Sequence, residues 1–309
     1  MNKPQTIHLA IAYDQNYLNQ FYALLASIID HNRASRISLH CIATGLTEAQ
    51  YAHIKQYGAS QGIDIAFYQI DKEMASKFVL SNNWTMAVYY RLFFPFLVPQ
   101  EVHKLLYIDT DTLVVNDLAR LYDQDISGYP VGAVYDNYVK KQPLIGIEEE
   151  GNYFNSGVLL IDIPAWKEQQ ISEKAFDYLL QYPERILFVD QCALNAVLKD
   201  NWKKLPGYCN TMTSMIPIGM NRKSRNRFIA DAIVLHFTLQ RPWLYLCTHP
   251  YRHLYHQYVR QSPLSDKKPV KDFAAGKIKQ RVKQDILAFY LSSPALKRTW
   301  QTLKNNKNS

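Results

Sequence analysis

The sequence is poor in cysteine, and the few it has do not pair. Cys41, Cys192, Cys209 and Cys247 are the four present. None forms a C-x-x-C, so no compact disulfide framework is indicated and a reducing compartment fits. Long apolar runs are missing as well: no stretch approaches the roughly 18 residues that a membrane-spanning helix needs. The short run in "MNKPQTIHLAIAYD" is followed by no cleavage-site layout and reads better as a first β-strand. The expectation is a cytoplasmic protein. No G-x-G-x-x-G follows that strand and no Walker A motif occurs, so a dinucleotide fold of the usual fingerprint is unsupported. Internal repeats and low-complexity linkers are also lacking.

What is present is enough for a sizeable core. The chain has 309 residues, 48% of them hydrophobic, which suits one large α/β domain or a domain with an appendage. Aromatics reach 13%, with 22 Tyr. Tyrosine at that density often lines sites for sugars or bases, and it serves equally well as core and surface filler. Charge is uneven. Eleven of the 35 basic residues, but only two of the 27 acidic ones, lie at or beyond Lys267, so the near-neutral body leaves the excess of +8 to the tail. That argues against a nucleic-acid binder and for a basic tail that meets an anionic surface.

Strand-like and helix-like segments alternate. "IHLAIAY", "ISLHCIAT", "IDIAFYQI" and "KLLYID" have the β-branched and aromatic content of buried strands. Between them, "YLNQFYALLASIIDHN" carries helical spacing of Phe21, Leu24, Leu25 and Ile28, and "TEAQYAHIKQYGAS" is a helix capped by Thr47. "TMAVYYRLFFPFLVP" looks helical until Pro99. Further on, "YPVGAVYD", "FNSGVLLIDI" and "ADAIVLHF" read as strands, while "AWKEQQISEKAFDYLLQY" and "DQCALNAVLKD" read as helices. The alternation predicts an α/β fold, a mostly parallel twisted sheet flanked by helices. The layout expected is a nucleotide-binding domain over residues 1–247 and a small, basic helical tail over 248–309.

The chemistry centres on "LLYIDTDTLVVND" (Leu105–Asp117), an apolar strand that ends in Asp109, Thr110 and Asp111. Carboxylates at i and i+2 of a strand point the same way, and ligands of open α/β sheets bind beyond strand carboxyl ends. Two hard oxygen donors on one point favour Mg²⁺ or Mn²⁺. His236 ends the late strand in "AIVLHFTLQRPW"; an imidazole beside two carboxylates tilts the choice toward Mn²⁺. Arg241, five residues on, reaches a phosphate if its loop folds back. After the first strand stand Asp14, Asn16 and Tyr17, which have the chemistry to accept from a base N–H and to stack on a base.

Two families carry such a motif. "IDTDTLV" locally resembles the nucleophile motif of haloacid-dehalogenase-type phosphatases, but here it sits a third of the way into the chain, and no later acidic pair follows. The wider constellation resembles glycosyltransferase family 8, most closely its bacterial lipooligosaccharide α-galactosyltransferase type. The matching segments are "AYDQNY", "YYRL", "LLYIDTDTLV", "FNSGVLLID", "DQCALN" and "HFTLQRPW", in order over about 230 residues. A sheet protein that binds UDP-sugar without chemistry is the remaining alternative.

The family-8 resemblance implies a GT-A fold and a retaining transfer of galactose or glucose from a UDP-sugar with Mn²⁺. It implies Asp109, Asp111 and His236 as metal ligands, and Thr110 within the donor site. Ala12, Asp14, Asn16 and Tyr17 match uridine contacts. Arg91 matches an arginine on the donor sugar, and Asp136, Asn155 and Asp190 match polar groups around the hexose. Gln191 matches the residue on the β-face of the anomeric carbon. Gln191 and Asp190 are thus the candidate catalytic residues. The family reads H-x-x-G-x-x-K-P-W where this chain is one residue shorter, lacks the glycine and has Arg241 for lysine. Asn83 replaces a phosphate-contacting histidine, so no role is carried to it. Bland readings stand beside these: Arg91 as a structural ion-pair partner, Asn155 as a turn residue, Asp190 as a helix cap. "YVKKQPLIGIEEEGNY" (Tyr138–Tyr153) reads as a surface loop, inert or folding over bound donor. The tail beyond Lys267 mixes Lys and Arg with Ile278, Val282, Ile286 and Trp300. That suits a helix lying on an anionic leaflet, hence a place on the inner face of the cytoplasmic membrane and a saccharide or glycolipid acceptor.

Overall fold

A computed structural model describes residues 6–70 and 86–264, together with Ile278, Lys279, Val282, Lys283 and Ile286. Its main sheet is built from β1 (Thr6–Asp14), β2 (Arg36–Thr44), β3 (Asp64–Tyr68), β4 (Lys104–Ile108), β6 (Val131–Tyr135), β7 (Phe154–Asp162) and β8 (Lys203–Lys204). The order across it is β3-β2-β1-β4-β7-β6-β8. Only β7 runs against its neighbours, pairing antiparallel with β4 and β6; the other pairs are parallel. The expected mostly parallel α/β sheet is therefore present.

Alternation on the strands explains why both faces are covered. Along β1, Ile7, Leu9, Ile11 and Tyr13 enter one core with Phe21, Leu24, Leu25 and Ile28 of helix α1 (Leu18–His31). Ala10 and Ala12 enter another with Phe93, Phe94, Tyr107, Trp166 and Phe176. A strand apolar on both faces can sit only inside a three-layer fold. Each large side chain so buried contributes roughly 1.5–3 kcal/mol. Helix α2 (Glu48–Ser60) starts at Thr47, the cap the sequence indicated, which here also forms a reciprocal capping box with Gln50.

Three features depart from the sequence reading. The 86–97 segment is a 3-10 stretch (Met86–Leu92) followed by the single turn α3 (Phe94–Leu97), because Pro95 cannot continue a longer ladder. After α4 (Ala119–Tyr122), the expected long helix following Pro164 is two, α5 (Ile163–Glu168) and α6 (Ile171–Gln181), broken where Gln170 adopts φ 54°. The break lets Ser172 accept from the indole of Trp166 at 2.9 Å and donate to the Leu92 carbonyl at 2.7 Å. A second, three-stranded sheet was not foreseen. It joins β5 (Thr112–Val114), β9 (Thr211–Met212) and β10 (Val234–His236) in the order β5-β10-β9.

That small sheet is tied to α1 through Ser27, whose hydroxyl accepts the Val114 N–H at 3.0 Å. The helix Arg252–Gln261 packs on α1 as well, burying Tyr255, Tyr258 and Val259 in a cluster with Leu113, Leu235 and Phe237. Tyr258 and His31 join hydroxyl to imidazole at 2.8 Å. Packing thus continues without a break past residue 247 to Leu264. Most of the basic segment beyond Lys267, and Asn83, lie outside the described residues.

Candidate functional site

The site forms where β1, β4 and β6 end and β7 begins. Asp109 and Asp111 converge here, though not as strand neighbours. β4 stops at Ile108, and Asp109, Thr110 and Asp111 make a tight turn into β5. The Thr112 hydroxyl donates to the Asp109 carbonyl at 2.7 Å and closes the turn. The Asp109 N–H donates across to Gly157 O at 2.8 Å. Antiparallel register then supplies the third member. β10 pairs with β5 so that His236 stands opposite Thr112, and the next N–H, of Phe237, donates to Asp111 O at 3.0 Å. One ligand atom each from Asp109, Asp111 and His236 lies within 4.8 Å of the others.

Charge and space both fit a divalent cation. Asp109, Asp111, Asp136 and Asp190 are met here by Arg91 and His236, leaving net negative charge. Gly157 makes room: a Cβ there would come 2.3 Å from His236 Cε1 and 2.7 Å from Asp109 Oδ2. Two carboxylates and an imidazole are a hard, oxygen-rich set of the kind that Mn²⁺ accepts. His236 is fully buried with Nε2 3.2 Å from Asp111 Oδ1. Burial works against its imidazolium, but Asp111, with help from Asp109 and Asp136, lifts its pKa above the ordinary value. Burial likewise opposes charge on Asp111, and His236 outweighs it, so that carboxyl stays below the usual range.

Arg91 lies behind the pair, in the 3-10 stretch. Its Nη2 is 3.0 Å from Asp109 Oδ1 and its Nε 2.9 Å from Asp190 Oδ2. Nη1 donates to the carbonyl and hydroxyl of Ser156, and the guanidinium lies 4.7 Å above the Tyr107 ring. Burial opposes its charge, yet Asp109 and Asp190 overcome this and hold it protonated. Its guanidinium is thus engaged with the protein's own groups. The Tyr107 hydroxyl donates to Asp109 Oδ1 at 2.6 Å, fixing that carboxylate from below.

Helix α7 (Val189–Val197) brings Asp190 and Gln191 to the same place. Val189 enters it at φ 42°, a conformation that β-branched residues rarely adopt. Asp190 is not the helix cap; it is the first-turn residue that meets Arg91 and accepts from the Ser156 hydroxyl at 3.3 Å. Burial, against the pull of Arg91 and with repulsion from Asp109, pushes its carboxyl up to about 6. Gln191 Oε1 accepts from Ser156 N–H at 3.1 Å and from Asn155 Nδ2 at 3.2 Å, and its Nε2 donates to Asp136 Oδ2 at 3.2 Å. Asn155 lies within β7 rather than in a turn, and its Nδ2 also donates to Asp136 Oδ2.

This arrangement follows a family match over residues 8–247, to the model of glycosyl transferase family 8. The chain belongs to that family. It is a glycosyltransferase by descent, and the dehalogenase-type phosphatase reading of "DTDTLV" is set aside. General stress protein A of Bacillus subtilis (strain 168) is 30% identical over 271 residues, 84% of this chain and 95% of the relative. A lipopolysaccharide 1,2-glucosyltransferase of Escherichia coli (strain K12) is 24% identical over 277 residues, 87% and 82% of the two chains. The crystal structure of the galactosyltransferase LgtC, in complex with donor and acceptor sugar analogs, superposes with a TM-score of 0.70 at 23% identity. It covers 89% of this chain and 100% of that one, and supports the GT-A fold.

Around the family-8 centre the remaining expected residues form a looser ring. Asp14 ends β1 and accepts the Asn16 N–H at 2.8 Å, capping a short 3-10 turn that exposes Asn16. Ala12 is buried two residues earlier. Tyr17 is half-buried, edge-on to Trp243 at 6.0 Å. Burial raises its pKa, as do Asp111, Asp14 and Asp109, and Arg241 opposes them, so the groups after β1 and the Asp109–Asp111 turn share one field. Arg241 is exposed, and Thr110 is buried at the apex of the aspartate turn. The missing glycine of the late motif has a structural answer: Leu239 takes φ 61°, the left-handed backbone a glycine would adopt. Residues 138–153 are not a free flap. Val139, Ile145, Ile147 and Tyr153 form a small cluster with Cys192 of α7. Sequence reasoning missed Tyr107, Ser156, Gly157 and Asn210, whose only signal was adjacency to named motifs or, for Asn210, none.

Proposed function

We propose that this family-8 member transfers a hexose, galactose or glucose, from a UDP-sugar to a saccharide acceptor with retention, using Mn²⁺ at Asp109, Asp111 and His236. The observation that carries the reading is the convergence of those three groups beside the Asp136–Asn155–Gln191 amide cluster. A bound divalent ion would supply charge for a departing diphosphate. In this reading Arg241 would bring charge to the same diphosphate, and Asp14, Asn16 and Tyr17 would meet the uridine, with Ala12 offering backbone.

The chain's own groups favour front-face substitution, in which the acceptor hydroxyl enters on the side that UDP leaves, its new bond to the anomeric carbon replacing the bond to phosphate and its proton passing to the departing phosphate. Gln191 offers an amide, a poor nucleophile, with its oxygen already accepting from Ser156 N–H. Asp190, the candidate for a covalent adduct, is buried against Arg91 and Ser156, which weakens it as a nucleophile. Gln191 would steady an oxocarbenium-like centre, and Arg91 would act by holding Asp109 and Asp190 in place. Lipopolysaccharide or another cell-surface glycan is the acceptor class proposed, since relatives such as the E. coli glucosyltransferase are named for it.

The catalytic unit is proposed as residues 1–247, with the helix Arg252–Gln261 packed on its α1 and the basic segment beyond Lys267 as a membrane-surface element. Ile278, Val282 and Ile286 are helical, exposed and spaced by four, and Lys279 and Lys283 are exposed beside them. Among the described residues no helix is long and apolar enough to cross a membrane. A screen of UDP-hexoses for hydrolysis or transfer, with Mn²⁺ and with EDTA, tests the main reading. Hydrolysis of one UDP-hexose that EDTA abolishes is expected; absence of turnover and of UDP binding overturns it. Sedimentation with anionic vesicles, with and without residues 267–309, tests the tail: equal binding defeats it.

A further inference from the structure

A chain of hydrogen bonds runs from the backbone of β7 to the imidazole of His236, and its polarity can be deduced. The Gly157 N–H can only donate, and it meets Asn155 Oδ1 at 3.1 Å. That atom must therefore be the oxygen of the Asn155 amide. The side chain of Asn210 approaches the same oxygen at 2.9 Å, so the approaching atom must be its NH₂ group. The other arm of Asn210 is then its carbonyl oxygen, 3.1 Å from His236 Nδ1. Nδ1 must carry the hydrogen. Nε2, which faces Asp111 at 3.2 Å, is left as the nitrogen able to present a lone pair.

The opposite end of the chain agrees. Asn155 Nδ2 donates to Asp136 Oδ2 and to Gln191 Oε1, each at 3.2 Å, and Ser156 N–H donates to the same Gln191 oxygen. Backbone donors at Ser156 and Gly157 thus set one direction for every amide between Gln191 and His236. Asn210 joins the His236 imidazole to this amide chain, and it is fully buried. Its backbone is held between the 3-10 turn Gly207–Cys209 and β9, which pairs in parallel with β10 so that Thr211 lies beside Leu235. A buried amide costs free energy unless satisfied; here each arm has a partner, and each partner belongs to a different half of the site.

We propose that Asn210 is a positioning residue: its carbonyl fixes the Nδ1–H tautomer of His236, so that Nε2 addresses the cation, and its NH₂ group orients Asn155 and hence the Gln191 amide. The idea rests on the reading of His236 as a metal ligand. Acceptors that hold the far nitrogen of a ligating histidine are worth about 10–100-fold in metal affinity.

The test uses the full chain with Asn210→Leu and Asn210→Asp. The leucine removes both arms. The aspartate keeps shape and the acceptor toward His236 but has no NH₂ for Asn155. Three readouts are taken: ¹⁵N shifts of the His236 ring in metal-free protein at a pH above its titration, Mn²⁺ affinity by electron paramagnetic resonance without nucleotide, and the KM for UDP-hexose. Expected for Asn210→Leu are a mixed or switched tautomer and Mn²⁺ binding weakened about 10–100-fold. Expected for Asn210→Asp are the wild-type tautomer, Mn²⁺ binding close to wild type, and a raised KM. An unchanged His236 signal in Asn210→Leu, or equal losses in both variants, overturns the proposal. If wild-type protein binds no Mn²⁺, the metal reading fails by itself, and the ring shifts still decide whether Asn210 sets the tautomer.

Discussion

Two half-buried polar clusters meet the main sheet among the described residues, and they are opposites. One lies on β1, β2 and β3: His8 Nδ1 meets His40 Nε2 at 3.1 Å, His40 Nδ1 meets the Tyr68 hydroxyl at 2.7 Å, and the rings stack. The other lies at the strand ends, where Arg91, Asp109, Asp111, Asp190 and His236 interlock. The first is neutral and closed, each hydrogen-bonding group of His40 being turned to a neighbour. The second is charged and open, with carboxylates that outnumber the protein's cations. Closed polar clusters specify packing; an open, charge-unbalanced one is stable only if something completes it or if internal ion pairs hold it together. The contrast is what supports the open cluster as the proposed binding site.

The sharpest way to break the comparison is to make the open cluster less balanced. Arg91→Met leaves Asp109 and Asp190 without their shared guanidinium and is expected to cost about 3–5 kcal/mol of stability. Urea unfolding in EDTA measures it. The loss should shrink in acid. A carboxyl whose folded pKa is raised, as that of Asp190 is to about 6, binds a proton in the folded state before it does so unfolded, and thus favours folding as pH falls through 6. A loss that stays constant from pH 8 to pH 5 would remove Asp190 from the account.

Next in size is Asp111→Asn. The side chain is about one-third exposed, so the fold should change by less than roughly 1 kcal/mol. Mn²⁺-dependent turnover of UDP-hexose should fall at least about 100-fold, because the lost charge belongs to the transition-state electrostatics. Equal effects on melting and turnover would mean that the open cluster is structural after all.

The closed cluster answers to pH instead. Burial, with repulsion from His8, depresses the His40 pKa to about 4. A histidine with a lowered folded pKa contributes stability that is complete above about 6.5 and is lost as pH falls toward 4. The size is on the order of 2–3 kcal/mol. His40→Gln keeps a polar group between His8 and Tyr68 but cannot titrate, so its stability curve should be flatter over that window, with turnover at neutral pH unchanged. An identical acid slope would assign the effect to the other histidines that burial holds down, His8, His31, His256 and above all His249, depressed to about 3.

The two clusters also differ in how legible they were. Strand alternation and the capped helices were plain, because both depend on local patterns that sequence preserves. Asp109, Asp111 and His236 were readable as donors, but the strand geometry first assigned to the aspartates was wrong: a turn brings them together, and His236 arrives through the register of a small sheet that two- and three-residue strands do not announce. Asn210 and Gly157 were invisible because their roles come from contacts 26 to 79 residues away along the chain. The break at Gln170 escaped for a related reason, since the indole of Trp166 that rewards it looks, in sequence, like any helical tryptophan.

The smallest effect concerns the rim of the open cluster, at Leu239. The turn Phe237–Gln240 closes by Gln240 N–H to Phe237 O at 3.0 Å, with Leu239 at φ 61° and mostly exposed. Left-handed backbone costs a leucine about 1 kcal/mol, yet glycine forfeits roughly 0.4–1 kcal/mol through the freedom of the unfolded chain. Leu239→Gly should therefore shift stability by no more than about 0.5 kcal/mol, since little apolar surface is lost. If the turn already has the glycine-type shape, UDP affinity should stay within about twofold, as nothing in the backbone need move. Leu239→Pro, whose φ is fixed near −65°, cannot keep the turn and should weaken UDP binding while leaving the buried Arg91 network and its urea stability intact. A large gain in UDP affinity for Leu239→Gly would show instead that the leucine distorts the rim, and that the open cluster is less preformed than its hydrogen bonds imply.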